Sequence, residues 1–515
     1  MLPRMALKDG AAIAAIDLGS NSFRLEIGRV AHGQVERVEY LKETVRLGGG
    51  LDADGNLSEA AIERGCECLA RFAERLRGFT PAQVRAVATQ TLREARNRDA
   101  FVARARAVLG FPIEVISGRE EARLIYGGVA HLLPESDERR LVVDIGGRST
   151  EVVLGRGVQP LKVESYPVGS VNLSLRHFAD GRLTRAALDA ATLAAQAVLE
   201  DALGFLGDRD SDHAWDRAYG SSGTVGAIAD VLDANNPPGH TAGVVTADDL
   251  EWLVAQLLRA GHVDKLKLAG LKEDRRAVIG GGVATLRAVF ALVGLDAMHA
   301  ARGALRHGVL YEMLDRDVAT ADVRERTVQR LVQKFGADAA QAARVRQVAL
   351  HLWAQLQASR NERDGGDQDA GHPLARQLAW AADVHEIGRA VAHVEYHRHG
   401  AYILEHSDGA GFALHELQRL GVLVLGQRGG LRKVAAALDD EGLREPLLCL
   451  RLAVLLCHAR RAPALAGLGL ARRGTGYRLE VDAAWAAQHP RSVVLLEEEA
   501  AHWRRVQRLF EVRSP

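Results

Sequence analysis

Asp17 and Asp144 stand 127 positions apart in matching surroundings. The first lies in Ala15-Ile16-Asp17-Leu18-Gly19-Ser20-Asn21-Ser22, followed by Gly28-Arg29. The second lies in Val142-Val143-Asp144-Ile145-Gly146-Gly147-Arg148-Ser149, with Gly155-Arg156 at the same offset. In each copy an apolar, β-branched run delivers an acid onto a glycine turn, and a second apolar stretch leads away. A strand, a tight turn and a return strand would put the Asp and the turn's N–H groups at one sheet edge. Small residues let a phosphate approach the backbone, and the N–H groups solvate its charge. Two such hairpins face to face would grip a phosphate chain from both sides. A lone Asp before glycine reads equally well as a turn cap, but independent caps need not keep matching flanks.

The elements that must carry these turns alternate between strand and helix, which is an α/β pattern. Residues 12–30 read as two strands and Gln34 to Leu47 as a third. Ser58 to Phe79 has helical periodicity, with Ser58 able to cap it. Val84 to Ala88 is a short buried strand leading to Thr91-Leu92-Arg93. A helix over Arg98 to Leu109, a strand over Ile113 to Ile116 and a helix over Glu120 to His131 follow. Pro134 to Arg139 reads as a hinge before the second copy, which repeats the alternation. There, strands fall near 141–168, a helix near 184–206 and a strand over Arg217 to Tyr219. Gly220 to Thr224 forms a turn, Gly280 to Gly282 precede another helix, and Ala304 to Leu314 closes the unit. From about Val318 long amphipathic helices take over, with Asn361 to His372 a charged loop between two of them. Tyr477 to Val481 and Val493 to Leu496 read as strands. The expected domains are 1–133 and 134–315 (related α/β lobes), 316–465 (helical) and 466–515 (a small mixed segment).

At 515 residues the chain is too long for one core. Lys plus Arg and Asp plus Glu number 66 each, so a polyanion site would be a local patch, and no nucleic-acid partner is expected. The first ten residues lack a signal-peptide pattern, and no stretch reaches the roughly 20 apolar residues of a membrane span. Cys66, Cys68, Cys449 and Cys457 make no disulfide or metal framework. The expected location is cytoplasmic.

The paired turns resemble the phosphate motifs of the actin, sugar-kinase and Hsp70 superfamily. An ordered set narrows this: Asp17 to Phe23, Thr91-Leu92-Arg93, Gly118-Arg119-Glu120-Glu121-Ala122-Arg123-Leu124-Ile125-Tyr126 and Asp144-Ile145-Gly146-Gly147. With Gly303 to Glu312, Trp380 to Gly388 and Tyr396 to Tyr402, it resembles the exopolyphosphatase and guanosine pentaphosphate phosphohydrolase family over nearly the whole chain. The resemblance implies two actin-like (ribonuclease H-like) lobes, an HD-like helical domain, a homodimer and Mg²⁺.

It also implies that Glu121 is the catalytic base, whereas Glu120 beside it reads as a charge favouring the helix dipole. Arg93 would present a donor fork to phosphate oxygens, or else pair with Glu94 or Glu120. Asp17 and Asp144 would act through Mg²⁺, since bare carboxylates repel the substrate. Glu151, two residues past Ser149 on the return strand, either helps hold the metal or is an exposed strand charge. Ser20, Asn21, Ser22, Gly146, Gly147, Ser149 and Thr150 would donate to phosphate. Ser222 and Gly223 lie where kinase-like relatives hold adenosine; here they would touch phosphates or let a helix pack. Arg148 replaces a glycine of many relatives and would point a cation into the phosphate channel. In the helical domain His385-Glu386 replaces a His-Asp metal pair, with His351, His393, His397, His399 and His406 around it. The favoured reading is a non-catalytic domain that binds polyanion or forms the dimer, with Arg389, Arg398, Arg428, Arg432 and Lys433 as candidate phosphate contacts.

The leading expectation is an exopolyphosphatase that releases orthophosphate processively from inorganic polyphosphate by Mg²⁺-assisted water attack. The alternative is hydrolysis of guanosine pentaphosphate. An ATP-dependent actin- or Hsp70-type binding protein, a sugar kinase and a helical-domain phosphodiesterase are the readings from other classes.

Overall fold

The computed structural model describes residues 10–31, 34–134, 136–206, 215–315, 323–364, 373–407 and 409–513. They fall into two compact units that divide between residues 319 and 320.

The first unit holds two mixed sheets. One contains β1 (Ala12–Leu18), β2 (Phe23–Ala31), β3 (Gln34–Glu43), β4 (Val84–Ala88) and β5 (Ile113–Val115), in the order β3-β2-β1-β4-β5. The other contains β6 (Arg139–Ile145), β7 (Thr150–Arg156), β8 (Gln159–Tyr166), β9 (Arg217–Ser221), β10 (Val244–Thr246) and β11 (Ala297–Ala300), in the order β10-β11-β9-β6-β7-β8. Each begins as an antiparallel three-strand meander, and its first strand then pairs in parallel with a later one. The sequence repeat is therefore a structural repeat. Leu18 pairs with Phe23 as Ile145 pairs with Thr150, and a bulge falls at Ile27/Gly28 as at Leu154/Gly155. These are the two α/β, actin-like lobes expected from the chain.

Strand parity decides which way each residue faces. In β1, Ala14, Ile16 and Leu18 enter the first lobe's own core, while Ile13 and Ala15 face the other way. In β6, Leu141, Val143 and Ile145 enter the second lobe's core and Val142 faces away. The away-facing residues of both sheets share a third core with two helices, Gly118–Ala130 and Leu305–Asp315. These helices cross at glycines. A Cβ on Gly308 would stand 1.8 Å from the Leu124 carbonyl oxygen, and one on Gly128 would stand 2.3 Å from that of Ala304. Nothing larger than hydrogen fits.

Three expectations need correction. Gly280 to Gly282 sit inside the first turn of the Ile279–Val293 helix, not before it. A Cβ on Gly281 would stand 2.3 Å from the Ser170 carbonyl oxygen, so close helix packing explains the run. Val493 to Leu496 belong to the Pro490–Arg504 helix: the run wraps around it, with Leu496 buried and Val494 exposed, and the helical stretch is too long for a strand. Ser58 stands at the N-cap of Glu59–Arg75 but makes no side-chain capping bond.

The second unit is mostly helical. Val323–Lys334, Ala339–Asp364, Pro373–Asp383, Tyr396–Glu405, Leu414–Gly426 and Glu441–Leu456 surround one core. That core also takes in Leu470, Leu479, Trp503 and Phe510 from the last fifty residues. These carry a small sheet of β12 (Leu468–Arg473), β13 (Gly476–Val481) and β14 (Phe510–Arg513). A buried Arg451–Glu499 pair, with Nη2 to Oε2 at 2.6 Å, ties the Glu441–Leu456 helix to Pro490–Arg504. Residues 365–372 of the expected charged loop lie outside the described residues.

The glycine crossing gives a paired test. Gly308→Ala should lower stability by ~1–3 kcal/mol or more through overpacking against backbone. Gly127→Ala, one helix position from the crossing with nothing within 4 Å of its Cβ, should be neutral or stabilise by up to about 1 kcal/mol. Thermal denaturation of both variants checks the contrast.

Candidate active site

Asp17 has the parity of Ile13 and Ala15, and Asp144 that of Val142, so both acids face the helices that cross beneath the sheets. The Gly118–Ala130 helix starts there, with Ser117 capping it through the Glu120 N–H at 3.2 Å. Its first turn carries Glu121. Asp17, Glu121 and Asp144 thus line one cleft of about 370 Å³ between the lobes.

The turns above them are fixed from behind. In the first, the Ser20 and Asn21 carbonyls accept from the N–H groups of Gly48 and Arg46, at 2.8 and 2.9 Å. In the second, the Gly146 and Gly147 carbonyls accept from Ser170 and Val171 at the start of a helix, at 3.0 and 2.7 Å. These bonds occupy carbonyl oxygens that would otherwise repel an anion. Gly19 and Gly146 have equivalent constraints: a Cβ would stand 3.0 Å from the Ser22 carbonyl oxygen and 2.9 Å from that of Ser149.

Burial dominates the acids' ionisation. It pushes Glu121 up to about 7; Arg93 opposes this while Asp17 and Asp144 add to it. Asp144 is raised to about 6, chiefly by burial, against a hydrogen bond from Ser221 and the charge of Arg24. Glu151 is held well above the usual range by burial and by Glu121 and Asp144. Cations come from the walls. Arg24 donates to Asp17 at 2.9 Å, and Lys42, Arg275, Arg302 and Arg306 also line the cleft. Burial, with the neighbouring Arg24 charge, lowers the Arg275 guanidinium from its ordinary value. Its Nη2 lies 2.1 Å from where a Cβ of Gly223 would be, so that glycine makes room for it.

Ser20, Asn21, Ser22, Gly146, Gly147, Ser149, Ser222 and Gly223 all line the cleft, as expected from the chain. Four candidates stand differently. Arg93 spends its donors on Glu121 Oε2 (2.7 Å), the Ile116 carbonyl and Gln90, so it orients Glu121 rather than offering an open fork. Arg148 does not point into the channel. Its guanidinium bonds Glu94 at 2.6 Å and the Gly48 carbonyl at 3.3 Å, joining the second lobe's turn to the first lobe. Its backbone is not left-handed, so no glycine is needed there. The Thr150 hydroxyl donates to the Val168 carbonyl at 2.7 Å and is fully buried. Glu151 is buried behind the lining, where Ser165 donates to it at 2.8 Å.

The sequence reading missed Arg24, Lys42 and Arg275. Arg24 was within reach: it faces Asp17 across β1 and β2 as Glu151 faces Asp144 across β6 and β7. Lys42 and Arg275 gave no local signal, since each reaches the cleft only through the fold.

In the helical unit, the His385-Glu386 pair is tied off. Glu386 accepts from Arg460 at 2.9 Å to each oxygen and from Arg389 at 3.0 Å, and His385 Nδ1 lies 2.7 Å from the Ala382 carbonyl oxygen. Among the described residues no three His, Cys, Asp or Glu converge as a metal cage in either unit. The cleft acids are an all-oxygen donor set, which suits a hard cation. Mg²⁺ commonly takes one or two carboxylates and completes its shell with water and phosphate oxygens. Asp17 and Asp144 fit that use.

Asp144 keeps its proton up to about pH 6 when folded, whereas its ordinary pKa is 3.8. Stability therefore falls as pH rises between those values. In metal-free buffer Asp144→Asn should gain about 1–3 kcal/mol at pH 7.5, and the gain should vanish near pH 3.5. Melting curves at both pH values check it; an equal gain at both would remove the electrostatic cause.

Comparison with known proteins agrees with this geometry. Residues 27–317 match the Ppx/GppA phosphatase family, and residues 323–500 match Ppx/GppA phosphatase, domain III. A guanosine-5'-triphosphate,3'-diphosphate pyrophosphatase of Vibrio cholerae is 38% identical over 491 residues, 95% of each chain. Among solved structures, an exopolyphosphatase from Cytophaga hutchinsonii superposes with a TM-score of 0.53 at 26% identity, covering 59% of this chain and 98% of its own. An exopolyphosphatase-like protein gives the same score and identity, covering 61% of this chain and 100% of its own. Among the described residues no helix is long and apolar enough to cross a membrane. With its paired acidic turns, its crossing helices and its matching length, the chain belongs to the Ppx/GppA phosphatase family.

Proposed function

We propose that this chain hydrolyses the terminal phosphoanhydride of guanosine-5'-triphosphate,3'-diphosphate and releases orthophosphate. The observation that carries the hydrolase chemistry is that both acidic turns and Glu121 open into one cleft with cationic walls. The choice of substrate rests on the relative of that name, which matches along nearly the full length of both chains. Exopolyphosphatase, the first expectation from the sequence, becomes the second reading. It is favoured by the solved exopolyphosphatase and the exopolyphosphatase-like protein, whose likeness covers about three-fifths of this chain.

The terminal phosphate would sit between the two turns, with its oxygens on the amides and hydroxyls of Ser20, Asn21, Ser22 and Ser149. A water beside Glu121 gives that carboxylate its proton as its oxygen bonds to phosphorus, and the bridging P–O bond breaks with its electrons to the shortened chain. Glu121 suits the work because a base poised near neutrality combines availability with driving force. Arg93 holds it in place. Charge spreads over the phosphoryl oxygens in such transfers, and fixed cations offset it; Arg24 and Arg275 stand ready. Mg²⁺ held by Asp17 or Asp144 would supply further charge neutralisation. The guanosine end would extend toward Ser222, Gly223 and Asp230 on the other side of the cleft.

Phosphate release by the purified chain with Mg²⁺ should be faster on guanosine pentaphosphate than on long polyphosphate at equal concentrations of ends. The reverse order would restore the exopolyphosphatase reading. Glu121→Gln should lower kcat by roughly 10²–10⁴ with little change in KM. Near-normal turnover would mean that another group takes the proton.

A further inference from the structure

Arg306 stands in the first turn of the Leu305–Asp315 helix, where it lines the cleft. Its charge opposes the burial that raises Asp144, so it serves that side of the site. Its Nε donates to Glu26 Oε2, and its guanidinium lies over the Tyr40 ring, 4.9 Å from the centroid. The guanidinium is thus fixed along one edge and on one face. Among the described residues its two terminal nitrogens donate to no protein group. That open edge is the part of a guanidinium that matches two oxygens of one phosphate.

The anchor is costly to build. Glu26 lies in β2 opposite Ala15, on the same face as Arg24, and is 2% exposed. A carboxylate so buried must be paired and hydrogen-bonded. Three groups meet it. Besides Arg306, Arg37 Nε donates to Oε1 at 3.1 Å, and His307 Nε2 lies 3.3 Å from the same oxygen. The Ala304 N–H donates to His307 Nδ1 at 3.0 Å, which leaves the ring proton on Nε2, facing Glu26. Burial opposes ionisation, but His307 and Arg306 prevail and bring the carboxyl down to about 2. Glu26 therefore stays charged while Glu121 titrates near 7. Arg37 is exposed and outside the cleft lining, so Arg306 is the guanidinium that Glu26 holds toward the substrate.

We propose that Glu26 is a positioning residue, which fixes Arg306 so that its open edge binds a phosphate of the substrate on the Asp144 side of the cleft. The inference rests on phosphoanhydride hydrolysis in that cleft, and not on which phosphoanhydride is cleaved.

The test uses full-chain variants and two readouts: kinetics on the substrate that the wild type cleaves, and equilibrium binding of sodium tripolyphosphate in the Glu121→Gln background. Arg306→Ala should raise KM and weaken tripolyphosphate binding, each roughly tenfold or more. Millimolar guanidinium chloride should restore part of that loss, because Glu26 can hold the free cation in place. The rescue should vanish when Glu26→Ala is added, or Glu26→Gln if the first double variant does not fold. Arg37→Gln, which takes the other guanidinium from Glu26, should leave KM near the wild-type value. Unchanged KM and tripolyphosphate affinity in Arg306→Ala overturns the proposal, and so does a rescue that survives loss of the Glu26 carboxylate. If the wild type releases phosphate from neither guanosine pentaphosphate nor polyphosphate, the hydrolase reading fails, and tripolyphosphate binding with its guanidinium rescue still decides the role of Glu26.

Discussion

Two helix backbones in the first unit meet with no room for a side chain between them, and the candidate site hangs on that contact. At Gly128 and Gly308 the helices following β5 and β11 touch directly, and Gly303, just before the second helix, packs equally close. Their apolar faces fill the core shared by both sheets. The same contact sets the start of the Gly118–Ala130 helix, and so places Glu121 beneath both acidic turns. Packing here is inseparable from chemistry, because any residue that pushed the helices apart would also lift the carboxylate from its place.

Above this floor the electrostatics are deliberately unbalanced. Glu121, Asp144 and Glu151 are buried, and each resists ionisation chiefly for that reason. Neighbouring carboxylates add to it: Asp17 and Asp144 for Glu121, Asp17 for Asp144, and Glu121 and Asp144 for Glu151. Arg24 and Arg93 meet part of that demand at Asp17 and Glu121. Lys42 pairs with Asp274 at 2.8 Å and Arg148 with Glu94 at 2.6 Å, so charged pairs also bridge the two lobes on either side of the turns. The acids favour a proton or a cation, while Arg275 in the wall favours an anion. A metal–phosphate complex answers both needs at once.

Much of this was legible in the chain. A repeat of acid, glycine and β-branched residues fixes strand, turn and facing together, so the two half-sites and their lobes followed from local sequence. What failed was direction. Arg148 looked like a cation for the channel, but its partner Glu94 is distant in sequence and only folding brings them together. Arg93 was read as a fork for phosphate, whereas Glu121 claims it. Val493 to Leu496 misled because four apolar residues in a row satisfy either period. Lys42 and Arg275 come from separate segments, and no spacing rule could have brought them to the cleft.

The repeat also breaks its own symmetry. At the residue facing the turn aspartate, one hairpin carries Arg24 and the other Glu151. A linear string of phosphates looks the same read from either end, and a clamp of identical halves would accept it in both senses. One jaw lines the cleft with a guanidinium, while the other sets behind its lining a carboxyl that resists ionisation, and this gives the groove a polarity. Such a groove can tell one direction along a bound chain from the other, which a clamp of identical halves could not.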